Sequence, residues 1–284
     1  MKLPNLSYMV KVGQLRTIQA LYEQPEHRNP DDVARQFLPM GERLGCTLRG
    51  RFFLGRMRSQ PFYPYVLART RYYDQVFLDA IEQGVQFIVN IGCGSDTRAY
   101  RFRQRLAAKG IGVVECDQAD AIRVKQEIAT RKTGTIGAVG HVEYLPIDLN
   151  DEAWPPLQRW LKAHAGAKLL VMLEGVSPYV QTTRFDAFLR HLGRNLAPGS
   201  LLAYDFKRTD TLPDFGRSER TREPFRLPVD REAAARFHAE RGLRLDAFET
   251  CVELQERLAP GLARQARSRF DEDCLLRLTV TGTA

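Results

Sequence analysis

The chain of 284 residues lacks the marks of several protein classes. Its five cysteines are odd in number and form no CxxC pair, which argues against a disulfide framework or a zinc site. No apolar run approaches the ~18 residues needed to cross a bilayer, and the N-terminal residues lack the apolar core of a secretory signal. We therefore expect a soluble cytoplasmic protein with reduced thiols and no metal, and neither Cys93 nor Cys116 has an evident partner for nucleophilic chemistry.

Positive charge is in excess, with 42 basic against 34 acidic residues and a formal net charge of +8. Such a balance permits binding to nucleic acid. The densest basic stretch is LRGRFFLGRMR at 48–58, where arginines alternate with Phe52 and Phe53. RNA contact is one interpretation, but an amphipathic helix with a solvated basic face is favoured. Because the other arginines are scattered, we expect neither nucleic acid nor a membrane as the partner.

The order of apolar patterns predicts a helical N-terminal part, residues 1–84, followed by an α/β domain at 85–284. Helices are predicted at 31–39 and 64–81. Strands are then predicted at 86–91, 112–115, 141–149, 168–173 and 201–206, separated by helices at 98–108, 119–132, 157–163 and 183–196. This alternation indicates a parallel sheet with helices on both faces. A polar segment at 208–230 reads as a surface insertion, before a helix at 231–241 and closing strands at 243–250 and 275–281.

The strongest motif is IVNIGCGSDTRAYRF at 88–102, where a buried strand runs through Gly92 and Gly94 into a helix. Glycines at such a turn let the backbone bend tightly and let a ligand lie against bare main chain. A dinucleotide site would have a third glycine, but Thr97 and Arg98 stand there, which weakens the alternative of an NAD-dependent oxidoreductase. A tight turn without any ligand is the other alternative.

Carboxylates follow the next strands. Asp117 ends the second strand, where it could accept the ribose hydroxyls of a nucleoside, cap the following helix, or do both. Glu115 is the fallback on the same strand face. Asp148 and Glu174 follow the third and fourth strands. Since the carboxyl ends of parallel strands border the ligand crevice, these acids should meet there. An acidic site without a Walker lysine suits a cationic nucleoside such as S-adenosylmethionine.

Four segments together resemble the leucine carboxyl methyltransferase family: NIGCGSDTRAYRF, VVECDQADAIRVKQEI, YLPIDL and LEGVSPYV. The resemblance spans about Pro64 to Phe206. It implies the class I methyltransferase fold, a mostly parallel, Rossmann-like seven-stranded sheet with a final antiparallel strand, helices on both faces and an N-terminal helical lid. It also implies S-adenosylmethionine as cofactor. Residues 208–230 show no match to the members that modify protein phosphatase, so a small-molecule acceptor, such as a polyketide-type metabolite, is expected.

The resemblance also assigns site residues by their positions. Arg69 would hold the methionine carboxylate, with Arg71 as the alternative, and Tyr179 would line the acceptor pocket or act as a core aromatic. The remaining predicted cofactor ligands are Gly92 and Gly94 beneath the cofactor, Asp117 at the ribose, Asp148 and Leu149 beside the adenine, and Glu174 near the methionine ammonium.

The expected reaction is in-line transfer of the methyl group to an acceptor oxygen, with S-adenosylhomocysteine as product. No general base is assigned, because the candidate histidines lie outside the motifs: His141, His164, His191 and His238. Three insertion arginines could attract an acidic acceptor or simply be solvated: Arg217, Arg220 and Arg222. The competing functions are a nucleic-acid or protein carboxyl methyltransferase and a non-catalytic cofactor-binding module.

Overall fold

A computed structural model describes residues 4–60, 62–132, 134, 141–209, 215–262 and 273–282, except for the side chains of residues 4–9. The α-helices are α1 (Pro4–Tyr22), α2 (Met40–Arg58), α3 (Phe62–Glu82), α4 (Arg98–Arg101), α5 (Arg103–Lys109), α6 (Ala119–Arg131), α7 (Pro155–Ala163), α8 (Thr182–Asn195), α9 (Arg231–Ala239) and α10 (Cys251–Leu258). The strands are β1 (Phe87–Ile91), β2 (Gly112–Asp117), β3 (Val142–Pro146), β4 (Leu169–Leu173), β5 (Leu201–Arg208), β6 (Arg226–Leu227), β7 (Leu243–Thr250) and β8 (Asp273–Val280).

The sheet has the order β3-β2-β1-β4-β5-β8-β7, with the two-residue β6 paired to the end of β5. Strands β1 to β5 pair in parallel, whereas β8 runs antiparallel to both β5 and β7. This confirms the predicted mostly parallel sheet and both closing strands. The chain reverses its direction of growth between β1 and β4, and such a switch point opens a crevice at the carboxyl ends of the strands.

The central strands are apolar because both faces of the sheet are covered, which is why β4 is buried at all five positions. One face packs against α7 and α8 through residues such as Trp160 and Phe188. The other packs against α3 and α10 through residues such as Phe77 and Leu254. Helix α3 therefore shares its core with the α/β part of the chain, although the sequence groups it with the N-terminal helices.

Several local predictions need correction. The helix expected at 31–39 is a four-residue 3₁₀ turn, Ala34–Phe37, in a segment bounded by Pro30 and Pro39. The carboxylate of Asp31 accepts the backbone N–H of Ala34 at 2.9 Å, which favours a turn over a longer helix. The helix expected at 98–108 breaks at Phe102, which separates α4 from α5. Helix α10 and strand β6 were not predicted, although Thr250 and Glu253 form a capping box at the start of α10.

Helix α2 confirms the helix predicted at 48–58, but its solvated face differs from the expectation. Phe52 is 85% exposed and Leu48 is 70% exposed, so this face is apolar as well as basic. The inner face of α2 packs on α1, where Gly50 leaves room for the Tyr22 ring: an added Cβ would lie 2.8 Å from it. Helix α2 is thus apolar on two sides, and only one of them is covered by the described part of the chain.

Candidate functional site

A cavity of about 620 Å³ lies at the carboxyl ends of β1 to β4. It is bordered on one side by α1 and on the other by residues 215–221, which we call the cover. All eight residues predicted to bind cofactor or acceptor line this cavity: Arg69, Gly92, Gly94, Asp117, Asp148, Leu149, Glu174 and Tyr179. The structure thus brings together motifs that lie more than 100 residues apart in the chain.

The glycine turn forms the floor of the cavity. Gly92 and Gly94 have φ angles of +67° and +41°, in the left-handed region that favours glycine. At Gly92 a Cβ would lie 2.3 Å from a methyl group of Val176, so a side chain has no room there. From below, Lys125 Nζ donates to the carbonyl of Cys93 at 3.3 Å, which fixes the turn to α6.

Asp117 is positioned by the same turn. Its carboxylate accepts the backbone N–H of Gly94 at 2.8 Å and that of Gln118 at 2.7 Å. Burial raises the pKa of Asp117 above its usual value, although these two hydrogen bonds favour the ionised form. The N-cap of α6 is Gln118 and not Asp117, so the capping alternative is wrong.

Glu115, the fallback ribose ligand, does not line the cavity. It is fully buried on the other side of the turn, where its carboxylate binds Lys125 Nζ at 2.7 Å and the hydroxyl of Tyr100 at 3.1 Å. Burial raises the pKa of Glu115 to about 6, against the stabilising charge of Lys125. The buried Glu115–Lys125 ion pair thus supports the glycine turn from within the protein, because Lys125 also binds the carbonyl of Cys93.

Asp148 and Leu149 follow β3 at the far end of the cavity. Asp148 Oδ2 accepts hydrogen bonds from Gln118 Nε2 at 2.9 Å and from Arg220 Nη1 at 2.8 Å. Arg220 also binds Asp151 at 2.8 Å, so it ties the cover to the loop after β3. Arg217 and Arg220 both line the cavity. Arg220 is therefore not only a solvated arginine of a loop, since it also binds two acids beside the cavity.

Glu174 lies at the end of β4 and faces three arginines. Its Oε1 is 2.7 Å from Arg16 Nη2 and 3.1 Å from Arg69 Nε, and its Oε2 is 2.8 Å from Arg98 Nη1. Burial disfavours the ionised carboxylate, but the three guanidinium groups outweigh this effect and keep the pKa of Glu174 below its usual value. Glu174 therefore orients a cluster of cations at the edge of the cavity.

Arg16 is a site residue that sequence reasoning missed. It projects from α1 into the cavity with 5% of its surface exposed, and no atom in the described ranges accepts a hydrogen bond from its Nε. A buried guanidinium with an unused donor is a ready partner for a carboxylate. No motif surrounds Arg16, which is 158 residues from Glu174, so only the fold reveals it. Arg71 points away and binds backbone carbonyls, including that of Leu258 at 2.6 Å.

Tyr179 lies between an apolar wall, formed with Val176 and Val180, and the cover. The rings of Tyr179 and Phe215 lie 5.8 Å apart, and Thr221 Oγ1 binds the Tyr179 carbonyl at 2.9 Å. Gly216 presses so closely on Pro178 that a Cβ would lie 1.8 Å from its carbonyl oxygen. Residues 210–214, part of the predicted insertion, lie outside the described residues.

No histidine among the four candidates lines the cavity, and all four lie in the described ranges. His238, for example, is buried against the Tyr204 hydroxyl, and burial lowers its pKa to about 4. Cys93 does line the cavity, but burial raises the pKa of its thiol well above the usual range.

Among the described residues, no cluster of three or more potential metal ligands occurs. The described helices include none that could span a membrane.

The glycine floor, the acids at successive strand ends and the sheet order define a class I methyltransferase. Residues 16–193 match the leucine carboxyl methyltransferase family. Two proteins of Mycolicibacterium paratuberculosis, each named as a proposed S-adenosyl-L-methionine-dependent methyltransferase, are 28% and 31% identical to this chain. The first alignment covers 77% of this chain and 71% of the relative, and the second covers 73% and 67%.

The chain therefore belongs to the leucine carboxyl methyltransferase family, as its motifs predicted. It is an S-adenosylmethionine-dependent methyltransferase. A solved structure of a proposed methyltransferase from Thermobifida fusca has the same fold, with a TM-score of 0.58 at 12% identity over 99% of this chain and 98% of its own.

Proposed function

We propose that this methyltransferase transfers a methyl group to a carboxylate or hydroxyl oxygen of a small molecule, of the polyketide type found in secondary metabolism. The observation that carries the proposal is the cavity itself. One cavity of about 620 Å³ is lined both by the predicted cofactor ligands and by the apolar wall beside Tyr179, with the cover along one side. Such a volume suits a cofactor and a small acceptor rather than a protein surface.

The donor set fits S-adenosylmethionine in three respects. The guanidinium groups of Arg16 and Arg69, which both line the cavity and meet at Glu174, are suited to a carboxylate such as that of methionine. Asp117, held at the glycine turn, is suited to accept two ribose hydroxyls. Asp148 and Leu149 lie where the adenine would be bound, although Asp148 must then share its oxygens with Gln118 and Arg220.

The bound cofactor would supply a methyl group on a positively charged sulfur, which is already activated for transfer. The residues of the chain would bind and orient the two reactants and exclude water from the cavity. The cover and α1 border the cavity, while Val176 and Tyr179 give it an apolar wall. An acceptor carboxylate is ionised at neutral pH and needs no base, which agrees with a cavity that has no histidine among its described lining residues.

Calorimetric titration with S-adenosylmethionine and S-adenosylhomocysteine tests the cofactor site. Asp117→Ala should weaken binding by roughly 1–3 kcal/mol, the loss expected for hydrogen bonds to a charged group. Asp120→Ala, an exposed acid at the start of α6, is the matched control and should bind normally. Wild-type affinity in the Asp117 variant would exclude the ribose role.

A second pair of variants tests the arginines. Arg16→Gln should weaken cofactor binding by roughly 1.5–3 kcal/mol, because the carboxylate loses a charge-assisted hydrogen bond. Arg71→Gln removes a guanidinium outside the cavity and should leave the affinity unchanged. If the Arg71 variant loses affinity and the Arg16 variant does not, the carboxylate is not bound by the arginines at Glu174 and the assignment is wrong. Release of S-adenosylhomocysteine from a panel of carboxylic acids and phenols then identifies the acceptor; product formed only with RNA or with a protein C-terminus would refute the small-molecule proposal.

A further inference from the structure

Helix α2 carries a row of exposed apolar side chains that the methyltransferase function does not use. Met40, Leu44, Leu48 and Phe52 are 70%, 50%, 70% and 85% exposed, respectively. Residues four apart lie one above the other on a helix, so these four form a continuous ridge along its outer side. We call this row the α2 ridge. Single exposed apolar residues are common, but a row of four on one helix marks a contact surface.

The other side of α2 already has its partner. Cys46 is buried with Ile18 of α1 and Leu38, and Gly50 is in close contact with Tyr22. The helix is fixed to the protein through the side opposite the α2 ridge. The ridge is therefore a second apolar side of α2 and not the side that packs into the core. Of the described residues that line the cavity, none belongs to α2, so the ridge is also separate from the active site.

The charges around the ridge have one sign. Helix α2 contains five arginines and a single acid, Glu42, which is bound by the side chain of Gln14. At 100° per residue, Arg51 and Arg49 lie on opposite sides of the ridge, and Arg56, four residues after Phe52, continues the ridge at its C-terminal end. All three are exposed. The surface is thus an apolar row with guanidinium groups on both flanks.

We propose that the α2 ridge binds the surface of an anionic lipid bilayer. A single convex helix has no groove to receive a partner, but its apolar side chains can enter the soft boundary between headgroups and acyl chains. The flanking arginines have long apolar stems, so their charged ends can reach the level of anionic headgroups while the ridge lies deeper. Leu and Phe on one side with arginines beside them are side chains that this kind of interfacial helix uses.

Charge also separates this partner from the other candidates. Two copies of the chain that met through α2 would bring arginine-rich flanks against each other, which is repulsive. Nucleic acid would match the charge, and Phe52 and Phe53 offer exposed aromatic faces, but the rest of the ridge is aliphatic: Met40, Leu44 and Leu48 can enter acyl chains and cannot stack on bases. The contact would be peripheral, since the described helices include none that could span a bilayer. The proposal departs from the expectation of no membrane partner, because the exposure of the ridge is visible only in the fold.

Co-sedimentation with vesicles tests the proposal. The wild-type protein should bind vesicles that contain a large fraction of phosphatidylglycerol and should not bind vesicles of phosphatidylcholine alone. Leu48→Glu/Phe52→Glu should lower the partition coefficient about tenfold or more, because it places two acids in the apolar row. Arg51→Gln/Arg56→Gln should lower it by roughly fivefold for each arginine, and the loss should shrink at high salt.

Matched controls on other surfaces keep the result specific. Val229→Glu replaces an apolar residue that is 37% exposed, and Arg123→Gln removes an arginine side chain that is 62% exposed; both should bind like wild type. Thermal melting and circular dichroism should show that every variant is folded. The proposal is overturned if anionic vesicles are not bound, if the ridge and control variants lose binding equally, or if light scattering shows a dimer that Leu48→Glu/Phe52→Glu dissociates.

Discussion

The two ends of the cavity hold their carboxylates in opposite ways. At the end near β4, Glu174 is bound by Arg98, whose side chain is 1% exposed. At the end near β3, Asp148 is bound by Arg220, whose side chain is 60% exposed. Both distances are 2.8 Å, so geometry alone does not separate the two pairs. Their surroundings do, because the strength of an ion pair depends on how far water and salt can screen it.

The comparison indicates which end of the site is fixed and which can open. The buried arginines are desolvated, so breaking one of their ion pairs would leave an uncompensated buried charge at a large cost in free energy. This end of the cavity is therefore expected to be rigid before any ligand binds. The pair that ties down the cover is an exposed one, and such pairs contribute little to stability. We therefore expect the cofactor and the acceptor to enter and leave on the side of the cover, while the arginine cluster stays in place.

The largest expected effect is at Arg98. Arg98→Ala would leave Glu174, Asp96 and Asp74 without their shared cation, and we expect a loss of roughly 3–5 kcal/mol in the free energy of unfolding. Urea denaturation measures this, with Arg123→Ala as the exposed control. A loss below about 1 kcal/mol would mean that the buried cluster contributes no more to stability than an exposed ion pair. The proposed difference between the two ends of the cavity would then be wrong.

A pH effect of intermediate size is expected at Asp205, which lies behind the arginine cluster and accepts hydrogen bonds from Gly175 N at 2.6 Å and the Tyr73 hydroxyl at 3.1 Å. Burial raises the pKa of Asp205 to about 6. Between pH 4 and 6 the folded protein then keeps a proton that the unfolded chain has lost, so this residue makes folding less favourable as the pH rises. Asp205→Asn removes the titration.

The measurement is the free energy of unfolding of wild type and Asp205→Asn across this range. The stability of the wild type relative to the variant should fall by roughly 2–3 kcal/mol from pH 4 to above pH 6. A constant difference at all pH values would show that Asp205 keeps its ordinary pKa in the folded protein.

The smallest effect is expected at the cover. Arg220→Gln breaks the bonds to Asp148 and Asp151, and the free energy of unfolding should change by less than about 1 kcal/mol. The difference should vanish at ~1 M salt, where exposed charges are screened. Thermal denaturation in low and high salt provides the test. A large loss that persists in high salt would place the cover with the rigid end of the cavity.

The sequence predicted the parts of the site that lie in short motifs. Gly92, Asp117, Asp148 and Glu174 each lie at or just after the end of a strand, and parallel strands bring such positions together. Arg16, one of the partners of Glu174, could not be predicted, because its position depends on how α1 packs across the strand ends. The α2 ridge was missed for a similar reason: periodicity shows that a helix has an apolar side, but packing decides which side is covered.

The position of Arg16 has a consequence for how the family can diversify. Arg16, which we propose binds the methionine carboxylate, is carried on a helix that precedes the whole sheet, while the glycine turn and the acids of the cavity lie at the ends of the strands. If that proposal holds, exchange of this leading segment between relatives would alter both cofactor binding and the border of the cavity without disturbing any strand pairing.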